Sequence, residues 1–264
     1  MKIGLMGIGG RMGGPLLETL LHRNHTLSCA IEAPGSPLAG SDAGMVYGGQ
    51  SLGVLVSPLH EAEISGTDAI IDFSSTGGTL SLLPVAVAAS IPLVIGTTGF
   101  SKNEVAEIED AASSIPVLFS PNMSVGVNLL FKLTELVSGI LDEGYDVELF
   151  EAHHRFKKDA PSGTARKLID IIKKANPPLA SADEKHGREG MTGERSSNEI
   201  GVMTMRGGDI VGEHTVYYAG MGERIELTHK ATSRNTFATG AVRGAEFVVR
   251  QEPGLYSMFD VLGI

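Results

Sequence analysis

The densest chemistry in the chain lies at residues 151–165, Glu-Ala-His-His-Arg-Phe-Lys-Lys-Asp-Ala-Pro-Ser-Gly-Thr-Ala. Five of the six positions from His153 to Lys158 can carry positive charge, in a chain whose formal net charge is −10. The turn Asp159 to Thr164 then leads into a helix pattern, and the first N–H groups of a helix have no partner of their own and bind anions. Cationic side chains beside such a helix start make a pocket for carboxylates. His153 and His154 titrate near neutral pH and can therefore give or take protons. As metal ligands the pair is poorly arranged, because neighbours on extended backbone point to opposite sides and the surrounding cations repel an ion. No metal is expected. A solvated basic face beside a capped helix is the plain alternative, and the paired histidines next to the anion-ready helix start weigh against it.

A second feature stands near the N-terminus. Gly7-Ile8-Gly9-Gly10-Arg11-Met12-Gly13 follows an apolar strand pattern and opens an apolar helix pattern with Pro15 in its first turn, where proline is tolerated. Glycines there let the backbone turn tightly and approach a pyrophosphate, whose charge is held by free N–H groups and the positive end of the helix dipole. The spacing is G-x-x-G-x-x-G on Gly7, Gly10 and Gly13, since the third glycine of G-x-G-x-x-G would fall on Met12. Glu32 ends the second strand pattern about twenty residues further on, where a ribose-binding carboxylate belongs. Together these features predict dinucleotide binding; the glycines alone would mark only a tight turn. Gly96-Thr97-Thr98-Gly99-Phe100 and Ser120-Pro121-Asn122-Met123 follow the fourth and fifth strand patterns. They fall at the edge where ligands bind in an open α/β sheet, and they could hold a nicotinamide carboxamide.

The elements that must position these groups alternate through the first half. Short continuous apolar runs at Ile3 to Met6, Thr26 to Ile31, Ala69 to Phe73, Pro92 to Ile95 and Val117 to Phe119 read as strands buried on both faces. Helix patterns over 12–23, 76–90 and 101–113 lie between them, the last opened by a capping box on Ser101 and Glu104. The alternation predicts a Rossmann-like doubly wound parallel sheet. After Pro121 a helix over 125–141, a strand from Asp146 to Glu151 and a helix from Thr164 to Lys174 are followed by a polar stretch, Asn176 to Glu199, that reads as a long mobile surface loop. Strand patterns at Gly201 to Met205, Asp209 to Tyr218 and Glu223 to His229 then predict a mixed sheet in a second, α+β domain. A helix from Thr236 to Gln251 returns the chain to the first.

The chain of 264 residues is 42% hydrophobic and 20% charged, enough for two modest globular domains. Its acidic balance offers no field for nucleic acid or an anionic membrane surface. No apolar run approaches a bilayer span and the N-terminal run breaks at Gly7, so a cytoplasmic protein is expected. The single cysteine, Cys29, sits inside the second strand pattern and reads as a small buried residue, not the thiol nucleophile of a phosphorylating semialdehyde dehydrogenase.

The motifs above, with Ile71-Asp72-Phe73, Ser124-Val125-Gly126-Val127-Asn128 and His229-Lys230-Ala231-Thr232-Ser233-Arg234, resemble the 4-hydroxy-tetrahydrodipicolinate reductase family from end to end. The resemblance implies a dinucleotide-binding domain of residues 1–126 completed by 235–264, a substrate and oligomerisation domain of 127–234, hinge closure between them, and a homotetramer. It implies a cyclic dicarboxylate substrate of the lysine and diaminopimelate pathway. This is reduced by NADH or NADPH with loss of water: hydride adds to C4 of the conjugated imine and electrons move toward the ring nitrogen. By position His153 is the implied proton donor and Lys157 the second catalytic residue, with His154, Ser162, Gly163 and Thr164 binding substrate carboxylate. Gly7, Ile8, Gly9, Gly10, Arg11, Met12, Glu32, Phe73, Gly96, Thr97, Thr98, Ser120, Pro121, Asn122 and Met123 would contact the cofactor.

Two departures bear on cofactor choice. Many relatives carry arginine after the ribose-binding acid, where this chain has Ala33, and some carry one after the Asp-Phe pair, where it reads Ser74-Ser75-Thr76. Arg11 is left as the obvious cation for a 2′-phosphate, so NADH is expected to serve at least as well as NADPH. Two other readings remain: an amino-acid dehydrogenase of the same two-domain plan, such as an aspartate dehydrogenase, and a non-catalytic dinucleotide sensor. Neither needs a basic His-His loop joined to a Ser-Gly-Thr helix start.

Overall fold

The computed structural model describes residues 1–141 and 144–264. In chain order the first part comprises β1 (Lys2–Met6), α1 (Gly13–His22), β2 (Thr26–Glu32), β3 (Val56–Pro58), β4 (Ala69–Asp72), α2 (Thr76–Ala89), β5 (Leu93–Ile95), α3 (Lys102–Ala112) and β6 (Pro116–Phe119). There follow α4 (Val125–Ile140), β7 (Asp146–His153), α5 (Gly163–Ala175), β8 (Asp183–His186), β9 (Glu199–Arg206), β10 (Gly212–Gly220) and β11 (Glu223–Ala231). The chain ends with α6 (Asn235–Val248), β12 (Gly254–Tyr256) and α7 (Met258–Leu262). It divides into two compact units, Met1–Val125 with Arg234–Ile264, and Gly126–Ser233.

The first unit is a seven-stranded sheet of order β12-β6-β5-β4-β1-β2-β3, with every neighbouring pair parallel. This is the doubly wound architecture, and its order reverses between β1 and β4, so a crevice forms beyond the carboxyl ends of those strands. One face carries a core of residues such as Ile3, Leu16, Leu20, Ala241 and Ala245, which seats α1 and α6. The other carries Ile70, Leu82, Leu93, Ile95 and Ile108 beneath α2 and α3. Strands covered on both faces need apolar residues at successive positions, which is why β4 and β5 are buried throughout. Edge strands β3 and β12 have no such run and were not legible as strands. The capping box at Ser101 and Glu104 forms, with Ser101 N–H donating to Glu104 at 2.6 Å and Glu104 N–H to Ser101 at 3.3 Å.

Two glycines of the N-terminal turn are fixed by geometry. Gly7 has φ +81, and a Cβ there would run into the Phe73 carbonyl; a Cβ on Gly13 would overlap the Ile8 carbonyl and strike the Tyr47 hydroxyl. Gly10 has looser surroundings, with its nearest neighbour, the Gly7 carbonyl, 3.1 Å from a built Cβ. Gly13→Ala should therefore cost about 1–3 kcal/mol through overpacking, whereas Gly10→Ala should cost under about 1 kcal/mol and act mainly on ligand approach. Urea unfolding of both variants checks this; equal losses would remove the distinction.

The second unit holds a five-stranded mixed sheet, β11-β10-β7-β9-β8, antiparallel between β11, β10 and β7 and parallel between β7, β9 and β8. Helix α5 buries Ala165, Leu168, Ile169 and Ile172, one stripe at three- and four-residue spacing. The segment expected to be a long mobile surface loop, Asn176 to Glu199, is loop only in part: its first half carries β8, whereas residues 187–198 have no regular structure and are mostly exposed. Residues 187–198 are held to β7 by ion pairs of Arg188 with Glu148 (2.7 Å) and of Arg195 with Asp146 (2.7 Å), and to the start of β9 by Arg188 with Glu199 (2.6 Å). β8 itself, Asp183-Glu184-Lys185-His186, has the charged composition of an edge strand, which a reading by polarity takes for a loop. β10 also starts later than its pattern suggested, at Gly212, because the Gly207-Gly208 turn hydrogen-bonds back to His153 and Arg155.

Candidate active site

Each unit carries a candidate site. In the first, a cleft of about 660 Å³ opens where the strand order reverses, lined by Gly7, Gly10, Glu32, Phe73, Ser74 and Ser75 among others. Glu32 stands at the end of β2 and accepts hydrogen bonds from Gly9 N–H (2.6 Å) and Ala33 N–H (2.9 Å), so the acid and the glycine turn hold each other. Phe73 lies against Gly96, where a Cβ would meet its ring. The buried Asp72 carboxylate organises the next loops: it accepts from Ser74 N–H and Oγ, from Thr79 Oγ1 and, at 3.4 Å, from Thr97 Oγ1. Burial pushes its carboxyl above the ordinary range, against the pull of those hydrogen bonds.

Several expected cofactor residues can contribute only backbone. Ile8 and Met123 have their side chains in the core, and the Thr97 hydroxyl is engaged by Asp72 and Ser74. Ser120 Oγ donates to the Asn122 carbonyl at 3.0 Å, shaping that turn from within. Thr98, Pro121 and Arg11 are exposed. Arg11 does not line the cleft, whereas His60 does, beside Ala33 and Pro34. His60 is thus a second group of basic type at this cleft, in addition to the exposed Arg11 of the glycine turn. His60 comes from the 3-10 turn Leu59–Glu61, which no motif marks. The start of α2, capped by Ser75 accepting from Gly78 N–H at 3.1 Å, also faces this cleft and was missed. The two adjacent glycines, Gly77 and Gly78, were its available signal.

In the second unit, the basic segment turns out to be organised around an acid. Residues 149, 151 and 153 share one face of β7, and Glu151 is fully buried there. His153 Nδ1 lies 2.5 Å from Glu151 Oε2. Arg206 donates to both oxygens of the same carboxylate, Nη1 at 2.9 Å and Nη2 at 2.8 Å. Thr204 Oγ1 donates at 3.3 Å, and so does Ser162 N–H, at 3.2 Å. Burial works to raise the Glu151 pKa, but the hydrogen bonds and charges of His153 and Arg206 prevail and hold it at about 2. His214, opposite Glu151 on β10, packs edge-on against His153 with ring centroids 5.2 Å apart, and its Nε2 lies 3.0 Å from Ser162 Oγ. Burial, with His153 beside it, lowers its pKa to about 3, so His214 stays neutral.

Ser162 also accepts from Ala165 N–H at 3.2 Å, capping α5, so the Ser-Gly-Thr segment is a helix start, as its pattern implied. Gly163 is exposed and Thr164 half-buried at that start. Lys157 pairs with Asp159 at 2.9 Å and keeps its side chain 22% exposed, accessible to a ligand. His154 lies on the other side of the strand end from His153, its ring 6.3 Å from that of Phe156. Glu151, His153 and His214 bring ligand-type atoms within 4.8 Å of one another, but the guanidinium on both oxygens of Glu151 opposes a cation there.

The family model described as dihydrodipicolinate reductase, N-terminus, matches residues 1–123, and that described as dihydrodipicolinate reductase, C-terminus, matches 126–262. The chain belongs to the dihydrodipicolinate reductase family. Among reductases of this family, it is 49% identical to the 4-hydroxy-tetrahydrodipicolinate reductase of Cupriavidus pinatubonensis, covering 100% of both chains. It is 50% identical to that of Magnetococcus marinus, covering 100% of this chain and 98% of the other. A solved dihydrodipicolinate reductase from Paenisporosarcina sp. TG-14, described as dipicolinate-bound, shares the fold with TM-score 0.76 at 22% identity, covering 98% of each chain. An amine dehydrogenase from Mycobacterium smegmatis shares it more loosely, with TM-score 0.61 at 14% identity over 98% of this chain and 95% of that one.

Proposed function

We propose that this chain reduces 4-hydroxy-tetrahydrodipicolinate to tetrahydrodipicolinate, with loss of water, using NADH or NADPH in the diaminopimelate route to lysine. The observation that carries the reading is the full-length match, at about half identity, to reductases of that name. The geometry fits it. Gly7 and Gly10 leave backbone room for a pyrophosphate above the start of α1, and Glu32 is placed to exchange its bond to Gly9 for ribose hydroxyls. The bound nicotinamide supplies the hydride. The chain supplies the rest: the Gly163-Thr164 helix start, His154 and Lys157 hold carboxylates, Lys157 offsets charge moving toward the ring nitrogen, and His153 gives a proton from Nε2. Dipicolinate in the Paenisporosarcina sp. enzyme is the same kind of dicarboxylate. A homotetramer working in the cytoplasm belongs to the same proposal; among the described residues no helix is long and apolar enough to cross a membrane.

Turnover of enzymatically generated hydroxy-tetrahydrodipicolinate tests the reading directly, since neither an aspartate dehydrogenase nor a sensor would oxidise NADH with it. The same assay checks cofactor choice. The 2′-phosphate of NADPH would bring about two negative charges toward Glu32, Ala33 and Pro34 offer no cation, and His60 lines the cleft but is well exposed, so solvent screens any pairing with it. NADH is therefore expected to be preferred about tenfold in kcat/KM, or about 1.4 kcal/mol. A clear NADPH preference at matched ionic strength would show that His60 or Arg11 governs the ribose site.

A further inference from the structure

We propose that Glu151, clamped by Arg206, is the positioning residue of this site: it fixes His153 with Nδ1 protonated and turned inward, leaving Nε2 as the atom that exchanges the proton, and ties that ring to the start of α5. The inference rests on the proposed function and names what makes its proton donor work.

The carboxylate receives five donors from four residues on three elements: its own strand through His153, β9 through Arg206 and Thr204, and the α5 cap through Ser162. An ionised carboxylate only accepts, so the proton in the 2.5 Å contact sits on Nδ1 of His153. The bidentate guanidinium leaves the carboxylate little freedom to rotate, and the ring it holds inherits that order. Arg206 Nη2 also donates to the Asp159 carbonyl at 2.6 Å, so the same clamp fixes the loop that carries Lys157. Because Ser162 N–H binds Glu151 Oε1 while Ser162 Oγ caps α5, one carboxylate sets both the imidazole and the anion-binding helix start. The charged and titratable groups around His153 are Glu151 on its own strand, Arg206 on β9, His214 on β10 with His229 opposite it on β11, and Lys157 with Asp159 on the loop. Of these Glu151 alone makes an ion-paired hydrogen bond to the ring.

The test is Glu151→Gln, which keeps the shape and an oxygen for Arg206 while removing the charge, with Glu151→Asp as the conservative variant. In the full-length chain, nitrogen-15 NMR of the histidine rings should show His153 protonated on Nδ1 in the wild type. In Glu151→Gln that proton should move to Nε2, since an amide N–H in place of Oε2 donates to Nδ1 instead of accepting from it. With substrate, kcat should fall about 10- to 10²-fold and its pH profile should change from that of the wild type, while KM for NADH holds within about threefold. Glu151→Asp should recover part of both. A folded Glu151→Gln variant with the wild-type tautomer and pH profile would overturn the proposal, as would loss confined to melting temperature and active fraction. If the wild-type chain shows no turnover, the reading of function fails, and the tautomer comparison alone decides the positioning role.

Discussion

His153→Ala should lower kcat about 10²-fold, the scale of losing a general acid, and leave NADH affinity close to that of the wild type. The residue belongs to the compact unit of residues 126–233, whereas Glu32 and the glycine turn belong to the other. Within its own unit the ring has one polar nitrogen committed to Glu151, so what alanine removes is the Nε2 proton and one donor to the carboxylate. Arg206, Thr204 and Ser162 continue to satisfy Glu151, which is why the variant should fold. Lys157→Ala should act differently. Its ammonium pairs with the exposed Asp159, and its loss should raise KM for the dicarboxylate as well as lower kcat. Steady-state kinetics with substrate and cofactor varied separately, plus NADH binding by fluorescence, distinguish the two patterns. Wild-type kcat in His153→Ala would remove the proton-donor assignment, whatever happened to KM.

The parts legible in the sequence were those in which local pattern and burial coincide. The runs that became β4 and β5 are apolar at every position because helices cover both faces, and the glycine turn announced itself because φ at Gly7 and the close approach at Gly13 admit no side chain. The helix start at Ser162 was legible for the same reason: a cap is a local hydrogen bond. Arg206 and His214 were not. They reach Glu151 through register, with Thr204 and His214 lying opposite Glu151 on the two flanking strands and Arg206 opposite His153, and register between strands 50 or more residues apart leaves no local mark. Glu151 itself could have been found. It is a charge on the face of β7 that otherwise carries Val147 and Leu149, and a buried charge needs a partner. The positive charge of His153 to Lys158 stands out in the segment, and the acid two residues before it does not.

That acid carries the largest stability effect expected in the chain. Arg206→Ala should destabilise the fold by about 3 kcal/mol at neutral pH, at the lower end for breaking a buried pair because His153 remains as a partner. The sign of the pH dependence separates this cause from lost packing of the arginine stem. In the wild type the Glu151 pKa is depressed from 4.5 to about 2, so its contribution is present above about 4.5 and is lost as pH falls through about 2. Without the guanidinium, burial dominates and the pKa moves up, so the variant is relieved of its penalty when the carboxyl protonates. The difference between wild type and Arg206→Ala should therefore shrink as pH falls below about 4.5. Adding Glu151→Gln to Arg206→Ala should recover at least about 1 kcal/mol at neutral pH, because the neutral amide no longer needs the missing cation. Urea unfolding of the four proteins at two pH values measures both terms. A penalty that neither falls with pH nor responds to Glu151→Gln would mean that Arg206 acts through packing and the Asp159 carbonyl alone.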